Sequence, residues 1–201
     1  MTVAKGEDGK YYYYVADRVN EAYTGLVELD NGTWYVQDGQ IVFNFDGAIT
    51  FQGETYYIKA GRVSEATTGL YKYTGEWMYY TSGKVDTAYT GLAERNGMTV
   101  YVANGAVDFT KTGAVSHNGK LYYVRYGVVD SSFTGLVRAD DGAWVYVTAG
   151  QQDTAYTGIV AYNGSNWYVE NGTVNFQFTG TVADANGNWT VNRGQATAVN
   201  N

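Results

Sequence analysis

Thr68-Gly69-Leu70-Tyr71-Lys72-Tyr73-Thr74-Gly75-Glu76-Trp77-Met78-Tyr79-Tyr80-Thr81-Ser82-Gly83-Lys84-Val85-Asp86-Thr87-Ala88-Tyr89 decides the fold, because Thr90-Gly91 starts the same pattern again. The opening glycine recurs at Gly25, Gly47, Gly69, Gly91, Gly113, Gly135, Gly158 and Gly180, in steps of 22 residues with one step of 23. Two further glycines follow each opening one. This cadence takes in 24 of the 26 glycines. Periods of this length mark tandem repeats in which each unit needs its neighbours to bury its apolar face. The chain is expected to be one array over 1–201. A partial unit spans 1–23, and eight units start near 24, 46, 68, 90, 112, 134, 157 and 179.

Turn chemistry says what each unit is. Asn or Asp precedes the middle glycine at Asp8, Asn31, Asn96, Asn118, Asp141, Asn163 and Asn186. Asn-Gly between alternating apolar runs is a hairpin signal, since a type I′ turn needs positive φ at both central residues. A second turn falls at the third glycine, as in Asp38-Gly39 and Asn104-Gly105. The runs between turns suit strands and are too short for helices. The expected fold is all-β: 22-residue β-hairpin repeats stacked as a β-solenoid. The alternative is an elongated single-layer antiparallel sheet.

Parity along the strand separates the faces. Three residues before the third glycine stand Val36, Ile58, Tyr80, Val102, Val124, Val147, Val169 and Val191. Five before it stand Trp34, Tyr56, Met78, Val100, Tyr122, Val145, Trp167 and Trp189. Both series are expected in the core. Between them Tyr35, Tyr57, Tyr79, Tyr101, Tyr123, Tyr146 and Tyr168 point the other way, with Trp77 and Trp144. This stripe reads either as a row of rings for stacking on sugars or a partner, or as a second packed layer. Aromatics close most units, at Tyr23, Phe45, Tyr89, Phe133, Tyr156 and Phe178.

Composition narrows the function classes. The chain has 21 Tyr, 5 Trp and 7 Phe, with no Pro and no Cys. Aromatic side chains suit a pleated, half-wet surface, and the lack of Pro suits a chain that is mostly sheet. The net charge is −7 and no basic run exists, which argues against nucleic acid as partner. No apolar stretch is long enough for a helical membrane span, and no disulfide can form. Asp86, Asp108, Asp130 and Asp153 recur after the third glycine and read as turn residues, not calcium ligands. His117 is the sole histidine and reads as a surface turn residue. No nucleophile–base arrangement, paired carboxylates or metal cluster is visible, so no catalytic residue, metal or cofactor is expected.

The run Gly75-Glu76-Trp77-Met78-Tyr79-Tyr80 leading to Thr90-Gly91 resembles the bacterial cell-wall-binding repeats, which include choline-binding and glucan-binding repeats. The resemblance covers nearly the whole chain. It implies hairpin solenoids outside the cell that hold ligands between aromatic residues of successive hairpins. The family's ligand pair, a Trp and the second residue after it, matches Trp77 with Tyr79 and Trp144 with Tyr146. Elsewhere the Trp place holds Thr55, Thr99, Leu121, Asn166 or Asn188. The family's Trp after the opening glycine is replaced by Leu26, Ala48, Leu70, Leu92, Ala114, Leu136, Ile159 or Thr181. The resemblance therefore implies a divergent repeat of unassigned ligand.

The expected function is a non-catalytic extracellular binding module for carbohydrate or a cell-wall polymer, at the surface of a Gram-positive bacterium. It acts through Trp77, Tyr79, Trp144, Tyr146, Tyr35, Tyr57, Tyr101, Tyr123 and Tyr168. The expected partner is a polysaccharide or cell-wall glycan. The chain opens mid-unit, which suggests a fragment of a larger exported protein. The alternative is a structural stalk or adhesin repeat that self-associates and takes no small ligand.

Overall fold

A computed structural model describes residues 1–199. Among them are 27 β-strands and no helix. It follows that no helix is long and apolar enough to cross a membrane. Two compact units are distinguished: Met1–Thr90 with Ala103–Val107, and Gly91–Val102 with the residues from Asp108 onward. Each unit shows the expected class, tandem antiparallel hairpins.

In the first unit the repeat is clearest at Gly25–Leu29, Gly32–Gln37 and Gln40–Ile41. The first two strands pair antiparallel from Gly25↔Val36 to Leu29↔Gly32. The short third strand folds back with Val36↔Ile41. The second unit repeats this at Gly158–Tyr162, Ser165–Glu170 and Thr173–Val174. There Gly158↔Val169 opens the ladder and Val169↔Val174 closes it.

The turn at the third glycine has positive φ at both central residues in every unit. Asn104 and Gly105 lie at 51° and 79°, and Asn171 and Gly172 at 49° and 75°. Even Tyr126, Ala60 and Ala149 adopt this conformation. A neighbouring side chain helps hold it. The Thr that precedes each opening glycine accepts the N–H of the first turn residue: Thr90 from Asn104 at 3.1 Å, Thr112 from Tyr126 at 3.1 Å and Thr157 from Asn171 at 3.1 Å. Asp46 does the same for Ala60. The recurrent Thr-Gly is thus a turn support.

Consecutive hairpins lock together through the third glycine. Its N–H donates to the closing residue of the preceding repeat, Gly61 to Phe45 at 2.9 Å and Gly172 to Tyr156 at 2.8 Å. Its carbonyl accepts from the striped tyrosine, as Gly61 does from Tyr35 and Gly172 from Tyr146, both at 2.8 Å. One residue type therefore serves both the turn and the join.

The core lies where strand alternation puts it. Val36, Ile58, Tyr80, Val102, Val124, Val147 and Val169 are fully buried and Val191 is 1 % exposed. Each such aliphatic side chain contributes about 1.5–3 kcal/mol by leaving water. The series two residues earlier departs from expectation. Val100 and Val145 are buried, but Trp34, Tyr56, Met78, Tyr122, Trp167 and Trp189 are only half-buried. In most repeats this position pairs with the third strand of the next hairpin, as Trp34 does with Arg62 and Val100 with Val128.

Candidate functional site

The tyrosine stripe is largely occupied by packing. In most repeats the ring meets the aromatic side chain ten residues on, which closes the repeat. Tyr79 stacks on Tyr89 with centroids 3.6 Å apart and planes at 7°. Tyr123 stacks on Phe133 and Tyr146 on Tyr156, both at 4.0 Å. Tyr35 leans on Phe45 at 4.7 Å and Tyr168 on Phe178 at 4.4 Å. Such pairs add about 0.5–1.5 kcal/mol beyond area burial. Burial raises the hydroxyl pKa of Tyr35, Tyr89, Tyr156 and Tyr168 above its ordinary value.

Two repeats break the pairing. At Thr67 the closing ring is missing, and Tyr57 packs instead on Tyr71 at 4.7 Å and Tyr80 at 5.9 Å. Tyr80 stands where other repeats have Val or Ile. Its hydroxyl is buried with no hydrogen-bond partner among the described residues. Burial pushes its pKa up to about 12. At Lys111 the closing residue is a cation, whose ammonium lies 5.6 Å from the ring centre of Tyr101.

Trp77 and Trp144 meet different surroundings. Trp77 pairs across its hairpin with Lys72, whose ammonium sits 5.6 Å from the indole centre. Trp144 borders an open hollow of about 320 Å³ in the second unit. Leu136, Trp144, Tyr162, Asn163, Ser165, Trp167, Val174 and Phe176 line it. Trp144 and Tyr162 are 4.7 Å apart at 55°, and Trp167 meets Phe176 edge-on at 5.7 Å. Tyr162 and Phe176 are 39 % and 43 % exposed, so the rings are accessible. The lining residues carry no formal charge, and their polar groups are the amide of Asn163, the hydroxyls of Ser165 and Tyr162 and the indole N–H groups of Trp144 and Trp167.

The structure thus brings Trp144 together with Trp167, Tyr162 and Phe176, while Tyr146 packs on Tyr156. Sequence reasoning singled out Trp144, placed Trp167 in the core, and missed Tyr162 and Phe176. An exposed aromatic does recur two residues before the closing position at Phe43, Phe109 and Phe176, and that recurrence was the available signal.

The recurrent acids serve turns. Asp86, Asp108, Asp130 and Asp153 accept the N–H two residues on, from Ala88, Thr110, Ser132 and Ala155, at 2.8–3.1 Å. The hydroxyls of Thr110 and Ser132 also donate to Asp108 and Asp130, and these bonds, more than the backbone ones, lower the two carboxyl pKa values. His117 reaches into the preceding repeat, where its Nδ1 accepts the Leu92 N–H at 3.2 Å. No group of three potential metal ligands occurs among the described residues.

A family model described as choline-binding repeat matches residues 22–42, 66–86, 110–130, 132–153 and 155–175, more than half of the chain. No curated protein matches. Among solved structures, CbpJ of Streptococcus pneumoniae TIGR4 is 22 % identical, with a TM-score of 0.37 over 94 % of this chain and 69 % of its own. Choline binding protein F of Streptococcus pneumoniae is 24 % identical, with a TM-score of 0.36 over 90 % of this chain and 61 % of its own. An alternansucrase in complex with isomaltononaose is 16 % identical, with a TM-score of 0.33 over 98 % of this chain. This chain spans 15 % of that enzyme's length.

Proposed function

The chain belongs to the choline-binding repeat family, and on that premise we propose that it is a non-catalytic cell-wall-binding module at the bacterial surface. Its ligand seat is the hollow between Trp144, Tyr162, Trp167 and Phe176. One observation carries this: four accessible aromatic rings converge there on a hollow whose lining bears no formal charge.

The chemistry of that seat favours groups with polarised C–H bonds. A trimethylammonium carries its charge on its methyl groups and is drawn to the negative face of an aromatic ring. The face of a sugar ring offers weaker C–H contacts of the same kind. Asn163 and Ser165 add hydrogen-bonding capacity for a hydroxyl at the rim. A choline-bearing wall polymer supplies both the cation and the sugar, and is the partner proposed. The remaining stripe, including Tyr35, Tyr57, Tyr79, Tyr101, Tyr123, Tyr146 and Tyr168, serves packing within the repeats.

Retention of the full chain on a choline matrix, with elution by free choline, tests this reading. Retention lost in Trp144→Ala and Trp167→Ala supports it. Passage of the unaltered chain through both choline and cell-wall columns contradicts it.

A further inference from the structure

The seat has a counterpart in the first unit. Tyr11, Trp34 and Phe43 each lie 133 residues before Trp144, Trp167 and Phe176. That offset is six repeats, so the trios occupy equivalent places. Their geometries agree: Trp34 meets Phe43 edge-on at 5.3 Å and 72°, and Trp167 meets Phe176 at 5.7 Å and 70°. Tyr11 borders the same Phe43 at 5.7 Å. Tyr11 and Phe43 are 40 % and 46 % exposed.

The first-unit cluster has Tyr11 for Trp144, Leu29 for Tyr162 and Gly32 for Ser165, and the residue opposite its Trp also differs. Trp34 pairs across the sheet with Arg62, and Trp167 pairs in the same register with Gln195. The Arg62 guanidinium carbon lies 5.7 Å from the Trp34 ring centre. Its Nη1 donates to the Asn31 carbonyl at 2.8 Å, and its stem passes over Gly32, where a Cβ would stand 2.9 Å from Cδ. Gln195 instead directs its amide to the Ser165 hydroxyl at 3.4 Å. The same register place carries Lys84 opposite Tyr56, again with the ammonium 6.0 Å from the ring centre.

We infer that Arg62 is an intramolecular stand-in for the ligand, and that the Tyr11–Trp34–Phe43 cluster is a closed copy of the seat. This inference rests on the proposed seat for quaternary ammonium. A guanidinium held near an indole face satisfies the attraction a trimethylammonium would seek. It also repels a second cation from the same place. The residue opposite the Trp therefore sets how many such seats the module offers: Arg62 closes one and Gln195 leaves the other open.

Arg62→Gln installs the residue that the open seat already has. Choline chloride is the probe, with uptake by the full chain measured by equilibrium dialysis and the indole N–H resonances of Trp34 and Trp167 followed by NMR. In the unaltered chain, choline shifts Trp167 and leaves Trp34 unmoved. Arg62→Gln gains one choline equivalent per chain and a choline-dependent shift at Trp34. Arg62→Lys keeps the cover and gains none. A Trp34 shift in the unaltered chain overturns the inference, as does an unmoved Trp34 in Arg62→Gln while Trp167 still responds. An unmoved Trp167 in the unaltered chain defeats the seat itself, and the inference with it.

Discussion

A Cβ placed on Gly127 would stand 2.4 Å from the carbonyl oxygen of Asp108, in the preceding repeat. The φ of Gly127 is +73°, which L side chains rarely adopt. Two independent penalties therefore fall on one residue. Gly127→Ala is expected to destabilise the protein by about 2–4 kcal/mol in chemical denaturation. Gly119 is the control: its φ is +75° but no atom lies within 4 Å of its Cβ place. Gly119→Ala should cost about 1 kcal/mol.

The stripe and the seat separate by mutation. Tyr146 stacks on Tyr156, while Trp144 borders the hollow. Tyr146→Ala should lower stability by about 2–3 kcal/mol in denaturant titration. Trp144→Ala should lower choline affinity tenfold or more, with a smaller change in denaturation midpoint.

Tyr80 gives a pH dependence. Its hydroxyl pKa is raised from 10.0 to about 12 by burial. Below pH 10 the phenol is neutral in both folded and unfolded chains, and its contribution to stability is fully present. Between pH 10 and 12 the unfolded chain releases the proton and the folded chain keeps it, so stability falls. Tyr80→Phe removes this component and should flatten the decline over that window. At neutral pH it should be neutral or stabilising by about 1 kcal/mol, since the lost hydroxyl had no partner.

The Thr-Gly repeat has its own test. Thr112 accepts the Tyr126 N–H at 3.1 Å, and Tyr126 holds φ +51°. Thr112→Val removes the acceptor at nearly constant shape. A loss of about 1 kcal/mol is expected by thermal or chemical denaturation.

What the sequence shows and what it hides follow from how local each signal is. The core series from Val36 to Val191 was legible because alternation within one strand fixes which side faces inward. The turns at Asn96-Gly97 and Asn104-Gly105 were legible because few residues adopt positive φ cheaply. The seat was not. Trp167 shares a face with Val169, yet its ring is left half-covered because it opposes Gln195 in the next hairpin, a pairing one repeat cannot reveal. Tyr146 has the same stripe register as Tyr101, and only the residue ten positions on decides whether it meets Tyr156 or Lys111. Trp77 and Trp144 share a repeat position and each opposes a cation across its hairpin, Lys72 and Arg138, yet Trp144 borders a hollow formed with residues of the next repeat.

The central claim is that Trp144 and Trp167 wall a ligand seat. It is tested most directly by titrating choline into the full chain while following the five indole N–H resonances. The account predicts saturable shifts at Trp144 and Trp167, with Trp189 unmoved. Shifts of Trp189 alone, or no shift at any indole up to molar choline, would contradict it.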